Sequence, residues 1–324
     1  MTGFITPFGE GIGDASLRVA AFGKDAANCR DGGHRLSLGR PGTYARPMAL
    51  RHARGLALSC HPAPTLAVTT LTTVLFASAG NHWTVCVIGA AAVLTGQLSI
   101  GWSNDLIDAD RDLASGRRDK PVALGEVPFG LLRGATGLAS VATVPLSLGL
   151  GWRSGLLQLV VVACGWAYNL GAKSTRWSPL PFLIAFGALP GVATLARPGH
   201  ALPPVWSVAT AGLLGVAAHF SNVLPDLADD LATGVRGLPH RLGGRASAWI
   251  GAGAVSTATA VLLFGSATGP SPLDWAGFTV VIALAAIAIE VNRGRPRSDA
   301  AFYATIAAAA VNVTLMGIGH PLAT

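Results

Sequence analysis

The chain has 324 residues, of which 51% are hydrophobic and only 12% charged, with a formal net charge of +7. About a quarter of an ordinary soluble protein is charged, so this composition excludes a water-soluble globular domain. The basic excess comes with no nucleic-acid signature, and it reports membrane topology and anionic ligands instead.

Residues 1–50 are rich in Gly, Arg and polar side chains and hold no apolar run long enough to cross a bilayer. They are expected to form a flexible cytoplasmic tail, or an upstream extension if translation begins at Met48. No signal-peptide pattern is present. The glycines of 9–13 follow no strand and lack a P-loop lysine, so they are not a nucleotide loop. Cys29, Cys60, Cys86 and Cys164 are scattered, with neither disulfide-framework nor zinc spacing.

From residue 51 to 324 the pattern is that of one membrane domain. About nine apolar runs of bilayer-crossing length follow one another, at 56–78, 83–102, 129–150, 154–170, 179–196, 204–223, 247–266, 273–291 and 300–317. Only helices or closed barrels satisfy the backbone in lipid. Continuous stretches such as 280–289 lack the alternation of a barrel strand, so an all-α integral membrane fold is predicted. Arg51, Arg54, Arg111, Arg117, Arg118, Lys120, Lys173, Arg176, Arg236, Arg241, Arg245, Arg293, Arg295 and Arg297 fall on one side of this arrangement. Arg153 and Arg197 fall on the other. The positive-inside rule makes the first side, with the N-terminus, cytoplasmic.

The second and sixth runs end in a repeat. Residues 103–125 and 221–243 share the skeleton S-N-x-L-x-D-x-x-x-D-L-A-[ST]-G-x-R-x-x-P-x-x-L-G at a constant offset of 118. This is the trace of a duplication: two four-helix units plus one helix, with the site expected where the repeats meet. In each copy the polar residues step by four, Asn104, Asp108, Asp112 and Asn222, Asp226, Asp230, which puts them on one face of a continuous helix. Half of the 16 acidic residues fall in these two segments.

Carboxylates crowded at a membrane boundary repel one another and are costly to desolvate. A cation relieves both costs. Oxygen donors without sulfur suit Mg²⁺ or Ca²⁺, and Mg²⁺ completes its octahedron with water and substrate phosphates. The expected metal set is Asn104, Asp105, Asp108, Asp112, Asn222, Asp226 and Asp230. Arg117, Arg118, Lys120, Lys173 and Arg236 lie beside it as candidate phosphate-binding cations, although topology alone also accounts for basic residues there. Acids and bases next to a lipid-facing bundle fit a ligand with an anionic head and an apolar tail.

On these residues the chain resembles the UbiA superfamily of intramembrane prenyltransferases. Asn104-x3-Asp108-x3-Asp112 and Asn222-x3-Asp226-x3-Asp230 are similar to its two Asp-rich motifs. Tyr168-x4-Lys173 resembles an element of its menaquinone and chlorophyll branches, and His61-Pro62 its usual His-Pro pair. The likeness covers residues 50–320. It implies a central cavity open sideways to lipid, Mg²⁺ as cofactor, an isoprenoid diphosphate as donor and a lipophilic acceptor, an aromatic ring or quinone precursor. It also implies catalytic roles for Asp108, Asp112, Asp226 and Asp230, with Tyr168 and Lys173 as diphosphate ligands.

Trp102, Phe220 and Tyr168 are candidates to face the allylic cation, the first two equally well interfacial anchors. His219 is expected to be packed rather than to line the cavity. Two departures stand out: Pro225 interrupts the second motif, where the helix is expected to bend or end, and Val223 replaces the acid equivalent to Asp105. Three other readings stay open: a terpene cyclase of the same fold, a polyprenyl-phosphate phosphoribosyltransferase, and an ion-coupled transporter. The Arg and Ala/Gly bias points to a bacterial plasma membrane. Oligomeric state is not legible.

Overall fold

The computed structural model describes residues 48–114, 120–122, 124–295, 297–320 and 322, all within one unit that begins at Arg46. The N-terminal segment to residue 47, Arg117 and Arg118 therefore lie outside the described residues.

All regular structure among these residues is helical, and each predicted apolar run falls on a helix. The first run is entered through a break. Helix α1 (Met48–Ser59) stops, the chain turns at Cys60–His61, and α2 (Pro62–Ser78) begins with Pro at its first position. A proline at that position gives up an amide that would be unpaired anyway. His61 takes the turn in the left-handed region, at φ 55°, and the Thr65 hydroxyl donates to the Cys60 carbonyl at 2.7 Å. The indole of Trp102 donates to Leu56 O at 2.8 Å, which pins α1 to the next helix.

That helix, α3 (Trp83–Ala114), has 32 residues. At 1.5 Å per residue it is about 48 Å long, well beyond the ~30 Å hydrocarbon core. Its last three turns hold Asn104 to Asp112, the charged part of the helix. Gly101 lets α3 reach the α1–α2 turn, because a Cβ there would lie 2.7 Å from the Cys60 carbonyl carbon.

Five further long helices are α4 (Phe129–Leu148), α5 (Trp152–Leu170), α6 (Leu180–Leu195), α7 (Val205–Val223) and, after two short helices, α10 (Gly244–Gly265). The short ones are α8 (Leu227–Ala232) and α9 (Leu238–Leu242). Helices α11 (Pro272–Gly294) and α12 (Ala300–Gly319) complete the chain. Each long helix packs on its neighbour in sequence, and α12 closes the ring against α2. Five of these helices, α3, α4, α10, α11 and α12, are long and apolar enough to cross a membrane by length and composition; α2 and α6 are shorter apolar helices. Apolar side chains such as Leu138 and Val141 on α4 and Ile287 on α11 point outward, as lipid requires.

Lipid tails give helices no hydrophobic reason to associate, so buried polar contacts hold them. Asn312 of α12 donates to Thr259 Oγ1 of α10 at 3.1 Å, and the Ser154 hydroxyl of α5 donates to Val192 O of α6 at 2.7 Å. At the end of the bundle away from the Asp motifs, Asp274 accepts from the amide and hydroxyl of Ser271, both at 2.7 Å, and lies 2.9 Å from His320 Nε2. This buried pair ties the end of α12 to the start of α11.

The two motif copies are built differently. Helix α3 runs unbroken through the first. Helix α7 ends at Val223, residues 224–226 form a turn, and α8 starts at Leu227. Pro225 has no amide hydrogen to continue the ladder, and its ring crowds the preceding turn. The expectation of one continuous helix face therefore holds for Asn104, Asp108 and Asp112 but not for Asn222, Asp226 and Asp230.

Candidate active site

Two chambers lie end to end inside the ring. The polar one, of about 140 Å³, is lined by Asn104, Asp108, Asp112, Asn222, Asp226 and Asp230, with Arg111, Lys120, Lys173 and Asp229. Both motif copies thus open into the same space. The apolar one, of about 260 Å³, is walled by side chains of α2, α3, α5, α6, α7 and α12, among them Leu71, Leu75, Phe182, Phe186, Leu214 and Val313. Four residues line both: His61, Asn104, Tyr168 and Asn222. They form the seam where the character of the space changes.

Lys173 is a buried cation of the polar chamber. The chain after α5 turns through Gly171 into a short 3-10 turn, Ala172–Ser174, which aims the lysine back at α3. Its Nζ donates to Asp108 Oδ1 and Oδ2 at 2.7 and 2.6 Å, and to Asn104 Oδ1 at 3.4 Å. Burial pulls the Lys173 ammonium below its usual pKa, and the Asp108 carboxylate opposes that shift. The second oxygen of Asp108 also meets Arg111 at 2.7 Å. The other half of the chamber holds Asp230, 3.2 Å from His240 Nε2, and Asp229, 3.1 Å from Arg297.

Several sequence expectations change here. Asp105 lines neither chamber. It is buried at 2% exposure, its Oδ1 lies 2.7 Å from Lys120 Nζ and 3.2 Å from His61 Nε2, and its Oδ2 has no partner. It therefore anchors two residues of the rim and is not among the chamber's oxygens. In the second copy the residues equivalent to Asp105 and Lys120 are Val223 and Leu238, two apolar side chains, so the ion pair belongs to the first copy alone. Arg236 is exposed and lines neither chamber; its carbonyl accepts from Arg241 Nε at 3.0 Å. Of the three aromatic candidates only Tyr168 reaches the cavity, edge-on to Phe182 at 5.1 Å between ring centres. Trp102 and Phe220 pack elsewhere, and His219 is a packed histidine at 1% exposure.

Three contributors escaped the sequence reading. Arg111 was counted only as a topological charge, although it stands three residues after Asp108 on the same helix face. Asp229 stands at the same interval from Asp226. His61 was noted for its proline, whereas the left-handed turn there is what carries its ring to the seam.

No sulfur donor lines the polar chamber. Among the described residues no three His, Cys, Asp or Glu side chains converge on one point. The carboxylate and amide oxygens there fit a cation that takes one or two carboxylates and draws its other ligands from water and phosphate. The arrangement as a whole fits an amphiphile: charge is matched at one end and water excluded at the other.

Comparison with known proteins gives the same direction. Residues 66–311 match the UbiA prenyltransferase family. A naringenin 8-dimethylallyltransferase (isoform 2, chloroplastic) from Sophora flavescens is 25% identical over 205 residues, 57% of this chain and 49% of that protein. The chain thus spans about half the length of this curated relative. A UbiA homologue from Archaeoglobus fulgidus bound to GPP and Mg²⁺ superposes with TM-score 0.65 at 13% identity, over 80% of this chain and 97% of that one. The same homologue with DMAPP and Mg²⁺ gives 0.62 at 13% identity, over 81% and 99%. An apo homologue from Aeropyrum pernix K1 gives 0.62 at 18% identity, over 78% and 96%.

Proposed function

The chain belongs to the UbiA prenyltransferase family, and we propose that it catalyses Mg²⁺-dependent transfer of a prenyl group from an isoprenoid diphosphate to a lipophilic acceptor, an aromatic ring or quinone precursor. The observation that carries this reading is the seam: a polar chamber of carboxylates and cations opens directly into an apolar one. The GPP and DMAPP of the Archaeoglobus structures support the donor class, and the phenolic substrate in the name of the Sophora enzyme supports an aromatic acceptor.

In this reading the diphosphate occupies the polar chamber, where Lys173, Lys120 and Arg111 offer charge-assisted hydrogen bonds to its oxygens. Mg²⁺ held by Asp108, Asp112, Asp226 and Asp230, with Asn104 and Asn222, would supply Lewis-acid neutralisation of the leaving diphosphate. The prenyl tail lies among Leu71, Leu75, Phe186 and their neighbours, which exclude water from the allylic carbon. That carbon falls at the seam, beside the Tyr168 ring, whose face can stabilise a developing cation. Water exclusion also strengthens every charge interaction at the site. In this reading the basic residues flanking the motifs favour a cytoplasmic orientation of this face, and the Arg and Ala/Gly bias favours a bacterial plasma membrane.

The test is direct. Purified protein in detergent, given geranyl or dimethylallyl diphosphate, Mg²⁺ and an aromatic acceptor panel, should release diphosphate and form a prenylated product, and EDTA should abolish both. Asp108→Asn and Asp226→Asn should each lower kcat by about 10²–10³-fold, the usual cost of removing electrostatic transition-state support. Full activity in either variant refutes the site. Diphosphate release with a hydrocarbon product and no acceptor requirement identifies a cyclase instead.

A further inference from the structure

The two acidic motifs sit on different helices, yet the distance between them must suit one diphosphate. Resting on the function proposed above, we infer that Ser178, with Gly237 and His219, sets that distance. Together they staple the loop that carries Lys173 to the loop that follows Asp230.

Ser178 follows the 3-10 turn of Lys173 and is fully buried. Its hydroxyl joins both sides. The oxygen accepts from the Leu238 amide at 3.0 Å and lies 3.1 Å from His219 Nε2, within hydrogen-bond distance. That ring is enclosed by Tyr168, Phe182 and Phe220, so it is a fixed partner.

Gly237 completes the contact. A Cβ there would overlap the Lys173 carbonyl oxygen and lie 2.9 Å from Ser178 Oγ. The backbone φ of Gly237 is −64°, open to any residue, so space rather than conformation excludes a side chain. The two loops therefore touch backbone to backbone.

A continuous path results. Asp108 of the first motif grips Lys173 Nζ; the Lys173 backbone abuts Gly237; three residues on, His240 lies 3.2 Å from Asp230 of the second motif. Neither Ser178 nor Gly237 nor His219 lines a chamber, so they act through Lys173 and Asp230 as positioning residues. The device belongs to one repeat only. The first-copy equivalents of Gly237 and His240 are Asp119 and Val122.

The experiment uses the full chain with Ser178→Ala, Ser178→Thr and Gly237→Ala, and geranyl diphosphate with Mg²⁺ as probe. Ser178→Ala should raise KM for the diphosphate about three- to tenfold, the range expected for lost buried hydrogen bonds, with kcat changed less than about twofold. Ser178→Thr, which keeps the hydroxyl, should restore KM. Gly237→Ala should raise KM in the same way from the other side of the contact. Without any ligand, and at a temperature well below each variant's thermal midpoint, trypsin should cut faster after the exposed Arg236 in both alanine variants than in the parent chain.

Parent-like KM and parent-like cleavage in both alanine variants overturn the inference. So does a threonine variant as impaired as the alanine one while equally well folded. If the parent chain releases no diphosphate at all, the functional reading falls instead, and the cleavage comparison still decides whether the staple exists.

Discussion

Asp105 and Asp108 stand one turn apart on α3 and have different work. Asp108 faces the polar chamber and holds Lys173, whereas Asp105 faces away and holds Lys120 and His61. Replacing Asp105 with Asn should release the Lys120 ammonium and raise KM for the diphosphate about tenfold, within the range for a charge-assisted contact. The Mg²⁺ concentration for half-maximal activity should stay within about twofold, since the chamber's carboxylates are untouched. A large shift in that Mg²⁺ requirement returns Asp105 to the metal set. The motif spelling made the two aspartates look alike; only the position of the residue 120 loop separates them, and no spacing rule carries that. Lys120 and Lys173 were legible as cations near the motifs. Arg236 was legible in the same way, yet its loop turns outward.

At the level of elements, the repeat revealed which helix ends meet but hid their asymmetry. The apolar runs all fall on helices, because a long, charge-free stretch is what burial in lipid leaves in a sequence. The short helices α8 and α9 left no such trace; five or six residues are too few for a period. Pro225 was the one clear marker, and the break occurs there. Substituting Pro225 with Ala should let α7 continue, since alanine is favoured over proline by about 3 kcal/mol in a helix interior. Each residue added advances a helix by about 100°, so Asp226 and Asp230 would turn out of their present positions. Diphosphate release should then drop by about 10²-fold while the thermal midpoint holds or rises. Undiminished turnover in this variant would show that the break has no part in placing the second motif.

Across the whole molecule, the motif-bearing end is rich in charge, and the opposite end holds a buried ionisable pair. Asp274 and His320 are each 2% exposed, and removing one partner of such a pair costs about 3–5 kcal/mol. Asp274→Ala should therefore lower the unfolding midpoint in detergent markedly. At low temperature it should leave diphosphate release near the parent value, because α12 stays tethered to α2, α7 and α10 along its length. Equal losses of stability and low-temperature activity would mean that the clamp reaches the site. Ring closure by α12 was itself not visible in the sequence: the last apolar run looked like an appendage to two repeats, and only packing shows it as the closing stave.

The seam at His61, Asn104, Tyr168 and Asn222 also bears on how a turnover finishes. In the transfer proposed above, donor carbons and donor phosphates arrive as one molecule, anchored at both ends. Once the bond between them is cut, each fragment keeps only one anchor, and the two are drawn in opposite directions. The freed diphosphate belongs to the aqueous side and the enlarged, uncharged product to the oily side. Departure thus needs no shared exit, and neither fragment has to wait for the other to clear the way.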